Sequence, residues 1–159
     1  MPTPEYISRL RTKIGNDLLL LPGVSGVIVD GEPGAERVLL GRRSDNGRWA
    51  SPGGIVEPGE HPAACIVREI AEEVSVEARV DRLVLVTTAP PVTYPNGDRC
   101  QFVSTVFRCS WVAGEPAVGD EESTDVAWFD VDRLPDLSAP ERRRIELALP
   151  RDAPAVFDL

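Results

Sequence analysis

The chain has 159 residues, 42% of them hydrophobic and 27% charged, which fits one globular domain with a buried core and argues against disorder. Its net charge of −9, from 17 basic and 26 acidic residues, argues against a nucleic-acid partner, whose phosphates need lysine and arginine. A small phosphorylated substrate stays open if a metal ion supplies the missing positive charge.

Glu5 to Ile14 is predicted as a short amphipathic helix with Tyr6, Ile7, Leu10 and Ile14 at helical spacing. Asp17 to Leu21 is expected as a strand closed by Pro22-Gly23. Val24 to Asp30 and Glu36 to Arg43 are expected to form a hairpin around Gly31-Glu32-Pro33-Gly34. A loop rich in glycine and proline, Ser51 to Gly59, leads to a helix opened by Pro62 and running to about Val74. Ala78 to Thr88 reads as a strand, Pro90 to Asp98 as a loop and Cys100 to Val112 as a long strand. An acidic loop from Gly114 to Ser123, a strand from Val126 to Phe129 and a last helix from Pro140 to Leu149 complete the chain. Strands dominate and the helices are unevenly placed, so the class is α+β and not a βαβ repeat. One domain is expected over 1–159, with a short N-terminal extension at 1–22.

Met1 to Ile14 carries Glu5, Arg9, Arg11 and Lys13 and has no apolar core of signal-peptide length, and no segment is long and apolar enough to span a bilayer. Cys65, Cys100 and Cys109 are an odd number without C-x-x-C spacing, so neither a disulfide framework nor a zinc site is expected. A cytoplasmic setting follows as the default. The single histidine, His61, rules out a multi-histidine metal centre. The N-terminal helix either packs Ile7, Leu10 and Ile14 on a second copy, giving a homodimer, or caps its own sheet; the second is preferred.

The stretch from Gly53 to Val76, GGIVEPGEHPAACIVREIAEEVSV, carries the chemistry. Glu69, Glu72 and Glu73 stand at i, i+3 and i+4 and share one helical face. Ala63, Val67, Ile70 and Val74 form a separate stripe, expected to pack on the sheet. Three carboxylates on one ridge repel each other, and hard oxygen ligands suit Mg²⁺ or Mn²⁺. An acidic helix face is also what ordinary solvation produces. Pro52-Gly53-Gly54, just before the helix, offers a backbone able to approach a metal or phosphate closely.

Together these residues resemble the Nudix box, through Gly54, Glu60, Arg68, Glu69, Ile70, Glu72, Glu73 and Val76. Trp49 and Pro52-Gly53 also resemble what commonly precedes it. One position departs, Ser75, where the family has a glycine that ends the helix in a left-handed residue. The resemblance implies an α/β/α sandwich with a mixed sheet and hydrolysis of a phosphoanhydride bond with Mg²⁺ or Mn²⁺. It implies Glu72 and Glu73 as metal ligands, Glu69 as ligand or part of the water-activating group, Glu60 as an outer ligand, the Gly54 carbonyl in the metal shell and Arg68 orienting the glutamates. A further acidic residue outside the box is expected at Glu121 or Glu122, with Glu122 the catalytic candidate. Arg43, Trp49, Tyr94, Asp98 and Glu121 are the candidates for substrate contact.

Substrate cues conflict: Pro91 lies about where ADP-ribose pyrophosphatases carry a proline, and Tyr94 could match a tyrosine associated with diadenosine polyphosphate hydrolases. Nucleoside diphosphate sugars or ADP-ribose are the first expectation, and nucleoside triphosphates or dinucleoside polyphosphates the second. Two other classes compete. One is a regulator that keeps the fold without hydrolysing; the other is a metal-dependent phosphoryl enzyme of another fold.

Overall fold

The protein is described here from a computed structural model covering residues 4–158; the first three residues of the N-terminal extension and the last residue lie outside the described residues. The spine is β1 (Leu19–Asp30), parallel along one edge to β7 (Arg99–Ala113), from Leu19 opposite Cys100 to Val29 opposite Ser110. Its other edge is shared. β4 (Gly53–Ile55) takes the middle, pairing Gly23 to Ser25, and β2 (Arg37–Arg43) takes the last residues, pairing Ile28 to Asp30. The strand order runs β3 (Trp49–Ala50), β2, β1, β7, β5 (Glu77–Thr88), β9 (Val156–Phe157). β8 (Ser123–Asp130) joins β2, and β6 (Val92–Thr93) joins β7. The sheet is mixed, as the resemblance to the Nudix box implies.

Alternation along the strands sorts the core into two layers. Val24 and Ile28 of β1 and Leu39 of β2 face α2 (Pro62–Val74), while Val27, Val29, Val38 and Leu40 face α3 (Ala139–Ala148) and meet Ile145 and Ala148. Gly26 faces α2, and a Cβ there would lie 2.7 Å from Ile66 Cγ1, so glycine lets the helix sit close. On the α3 side, buried Arg108 donates to the Ala148 carbonyl at 3.0 Å and satisfies the end of that helix. α1 (Glu5–Ile14) caps its own sheet: Ile7 packs on Leu21 and Cys100, and the Tyr6 hydroxyl donates to the Val56 carbonyl. The three cysteines are buried and free, and no described helix is long and apolar enough to cross a membrane.

Several expectations change. Pro22-Gly23 does not break the chain, and the two predicted strands are one. The Pro22 carbonyl still accepts from Val56 N at 3.0 Å, and only the missing proline N–H drops out of the ladder. Gly53 to Ile55, read as loop, is a strand because it completes the open edge of β1. Val92–Thr93, inside a predicted loop, is a short strand on β7, β8 begins at Ser123, inside the predicted acidic loop, and the sequence pattern shows nothing of β9. The buried stripe of α2 is Ile66, Ile70 and Val74 with Cys65; Ala63 and Val67 face solvent, and Glu69 lies in the apolar stripe at 2% exposure.

Ser75 ends α2 in the left-handed conformation, φ 58° and ψ 29°, the only non-glycine residue with positive φ among those described. The missing glycine therefore left its geometry behind, at a strain of about 1 kcal/mol. The loop after β7 completes the cap: Ala117 N donates to the Val74 carbonyl at 3.2 Å and Gly119 N to the Glu73 carbonyl at 3.0 Å. Ser75→Gly should therefore raise stability by about 1 kcal/mol in denaturant unfolding, and Ser75→Val should lower it.

At the far edge, Asp158 accepts from both terminal nitrogens of Arg143, at 3.0 and 2.6 Å, and from the Thr87 hydroxyl at 2.6 Å, fastening β9 to α3 and β5. The Arg143 guanidinium holds its carboxyl down at about 2, below the ordinary 3.8. A depressed carboxylate favours the folded chain above its ordinary value, and the gain fades as pH falls toward 2. Asp158→Asn should melt below wild type at pH 7, with the gap narrowing between pH 5 and pH 3 in thermal scans.

Candidate active site

Because β4 and β2 leave the same edge of β1 in turn, a cleft opens between them. It has two lobes. A smaller cavity of about 280 Å³ includes Ser25, Gly53, Glu73 and Ser123 in its wall, and a larger one of about 630 Å³ includes Ile7, Gly54, Tyr94, Asp98 and Phe102. Val24, Arg43, Gly53, Glu122 and Arg144 border both, so the lobes meet at a neck. Gly53 fits this crowded place because a Cβ there would strike the Val24 carbonyl.

Arg68 is the organiser beside the cleft. Its Nε and Nη2 donate to the two oxygens of Glu60 at 2.9 and 3.0 Å, and its Nη1 donates to Glu69 at 2.8 Å and to Glu72 at 3.1 Å. That places three box carboxylates around one guanidinium, the orienting role the resemblance implies. The side chains differ in exposure: Glu69 is buried, Glu60 partly buried and Glu72 open to solvent. The Arg68 guanidinium pulls Glu60 down to about 2. Burial pushes Glu69 up while Arg68 opposes the shift.

Glu73 is different. It faces the smaller cavity, and burial, with the charges of Glu69 and Asp120, pushes it up to about 8, although the Gly53 backbone amide pulls the other way. Hard carboxylate oxygens short of positive charge fit a divalent cation as donors. No three acidic, histidine or cysteine side chains among the described residues converge as a ready-made metal cluster.

The other sequence candidates divide. Glu122 stands at the neck, its loop pinned where Ser44 N donates to the Glu122 carbonyl at 2.7 Å and Glu122 N donates to Asp120 at 2.9 Å. Glu121 is exposed and borders neither cavity. Arg43 reaches the neck with its Nε and Nη2 donating to Asp45 at 2.9 and 2.6 Å. Tyr94 and Asp98 belong to the wall of the larger lobe, where Asp98 lies 3.5 Å from Arg11 Nε. Trp49 lies outside the cleft, edge-on to Phe129 with ring centroids 4.8 Å apart, as part of the α3-side core.

Sequence reading missed Arg144, Ser25, Ser51 and Glu141. Glu141 is buried at 3% exposure under the neck and accepts from the Ser51 amide at 2.9 Å and from the Ser51 hydroxyl. The run Glu141-Arg142-Arg143-Arg144 looks like a solvated helix face. The usable signal was the helical spacing of Glu141, Arg144, Ile145 and Ala148, which turns those four inward.

A model of the NUDIX domain matches residues 19–149. A MutT-like protein of Streptomyces ambofaciens is 39% identical over 111 residues, 70% of this chain and 64% of that protein. An ADP-ribose pyrophosphatase of Methanocaldococcus jannaschii is 33% identical over 113 residues, 69% of this chain and 64% of that one. The chain therefore spans a little under two thirds of the length of these relatives. Among solved structures, a UDP-X diphosphatase is similar at a TM-score of 0.61 and 28% identity, over 91% of this chain and 68% of that one. With the box residues gathered around Arg68 beside the cleft, the match over residues 19–149 makes this chain a member of the NUDIX family.

Proposed function

We propose that the chain hydrolyses a phosphoanhydride bond in a nucleoside diphosphate joined to a second group, with ADP-ribose or a nucleotide sugar as the substrate class and Mg²⁺ or Mn²⁺ as the metal. The observation that carries this is the two-lobed cleft with a box glutamate in the smaller lobe and aromatic and apolar walls in the larger. A diphosphate with a different group at each end matches two unequal lobes joined by a neck. The names of the Methanocaldococcus and UDP-X relatives point to the same class of bond.

Glu69, Glu72 and Glu73 would hold the cation, with Glu60 further out and the Gly54 carbonyl beside it. When bound, a divalent cation neutralises phosphoryl oxygens and acidifies a coordinated water. The residues of the chain do the rest. Arg68 keeps Glu60, Glu69 and Glu72 in register by four hydrogen bonds. Glu122, which borders both lobes, would accept a proton from the attacking water. Tyr94 and Phe102, in the wall of the larger lobe, would stack on a base, and Asp98 would accept from hydroxyls.

Hydrolysis of a panel of ADP-ribose, nucleotide sugars, nucleoside triphosphates and dinucleoside polyphosphates, with products identified, tests the reading. Monophosphate products from the first two are expected, and no turnover of any member overturns it. Glu72→Gln and Glu73→Gln should each lower turnover by orders of magnitude while circular dichroism stays unchanged. Arg68→Gln removes the cation beside buried Glu69 and should cost about 2 kcal/mol in denaturant unfolding. Arg68→Lys, a point charge without the forked geometry, should recover only part of that loss.

A further inference from the structure

We propose that Arg144 is a substrate-binding residue that holds the diphosphate at the neck between the two lobes. The inference rests on the hydrolase reading above and adds a contact from outside the box. Arg144 comes from α3, on the opposite face of the sheet from α2, and borders both cavities. Among the described residues five do so, and two of them are cations. The other, Arg43, has Nε and Nη2 engaged by Asp45.

The Arg144 hydrogen bonds both use Nη1, to the Ser25 hydroxyl at 3.3 Å and to Glu141 at 3.2 Å. Its Nε and Nη2 make no hydrogen bond among the described residues. Glu141 is fixed by Ser51, on the segment between β3 and β4, so the guanidinium is anchored from below by a buried carboxylate and from the side by β1. An arginine oriented at one nitrogen, with the remaining donors uncommitted, is prepared to receive phosphoryl oxygens. Carboxylates line the cleft at Glu73 on α2, at Glu122 in the loop before β8, at Asp45 and at Asp98. With Arg43 engaged by Asp45, a dianionic bridge at the neck needs a further cation, and Arg144 supplies it.

The test is titration calorimetry with α,β-methylene ADP, a diphosphate that water cannot cleave at the bridge, in Mg²⁺. The proteins are wild type, Arg144→Gln, Arg144→Lys and the double variant Glu141→Gln/Arg144→Gln. Affinity should fall by about tenfold to a hundredfold in Arg144→Gln, the usual weight of a hydrogen bond to a charged group, and partly recover in Arg144→Lys. Mn²⁺ affinity, measured separately, should stay at the wild-type value, which a general distortion of the cleft would not leave untouched. If Arg144→Gln fails to fold because Glu141 loses its partner, the double variant removes that charge and carries the comparison. Wild-type affinity for the diphosphate in a folded Arg144→Gln or double variant overturns the assignment. If the wild-type chain binds no diphosphate and turns over no member of the substrate panel, the proposed function fails and Arg144 with it.

Discussion

A carboxylate set in the apolar stripe of a helix has to be compensated, and at Glu69 the compensation is Arg68, 2.8 Å away. The rest of the site depends on that pairing. The guanidinium that makes Glu69 tolerable also takes Glu60 in a two-pronged contact and Glu72 one turn on. A requirement of the core and a requirement of the site thus fall on one side chain. Glu73, the residue after Glu72, does not share that cation and is the box glutamate left facing the cleft.

The cleft is a product of strand arithmetic. β1 is twelve residues long, its two partners on one edge are three and seven residues long, and they meet it at different heights. The space between them belongs to neither. Into it come groups far apart in sequence: Arg43 from the end of β2, Gly53 from β4, Glu122 from the loop before β8 and Arg144 from α3. The two helices lie on opposite faces, yet Glu73 of α2 and Arg144 of α3 reach the same cavity.

The box was legible in the sequence because it is local: Gly54 to Val76 runs from β4 through one turn and one helix to the residue after its cap, and spacing alone puts its glutamates near each other. The α+β class was legible for the same kind of reason, since β-branched runs and turn residues are short-range signals. Trp49 shows the limit, because nothing in a tryptophan beside a glycine-rich loop says whether its ring faces substrate or Phe129. The face of α2 was misread because Glu69 looks polar by type and is buried by virtue of its neighbour. Arg144 was hidden among arginines, and only long-range pairing brings it to Ser25. β9 has two residues and no pattern of its own; it exists because β5 has an edge to fill.

The loop after β7 ties the helix carrying Glu73 to the residue facing it across the cleft. Ala117 and Gly119 spend their amides on the last carbonyls of α2, and three residues later the same loop delivers Glu122. Glycine is required at 119, since a Cβ there would collide with the Glu72 carbonyl. The two acidic walls are therefore one mechanical piece. An insertion in this loop would disturb the end of α2 together with the position of Glu122, which borders both lobes.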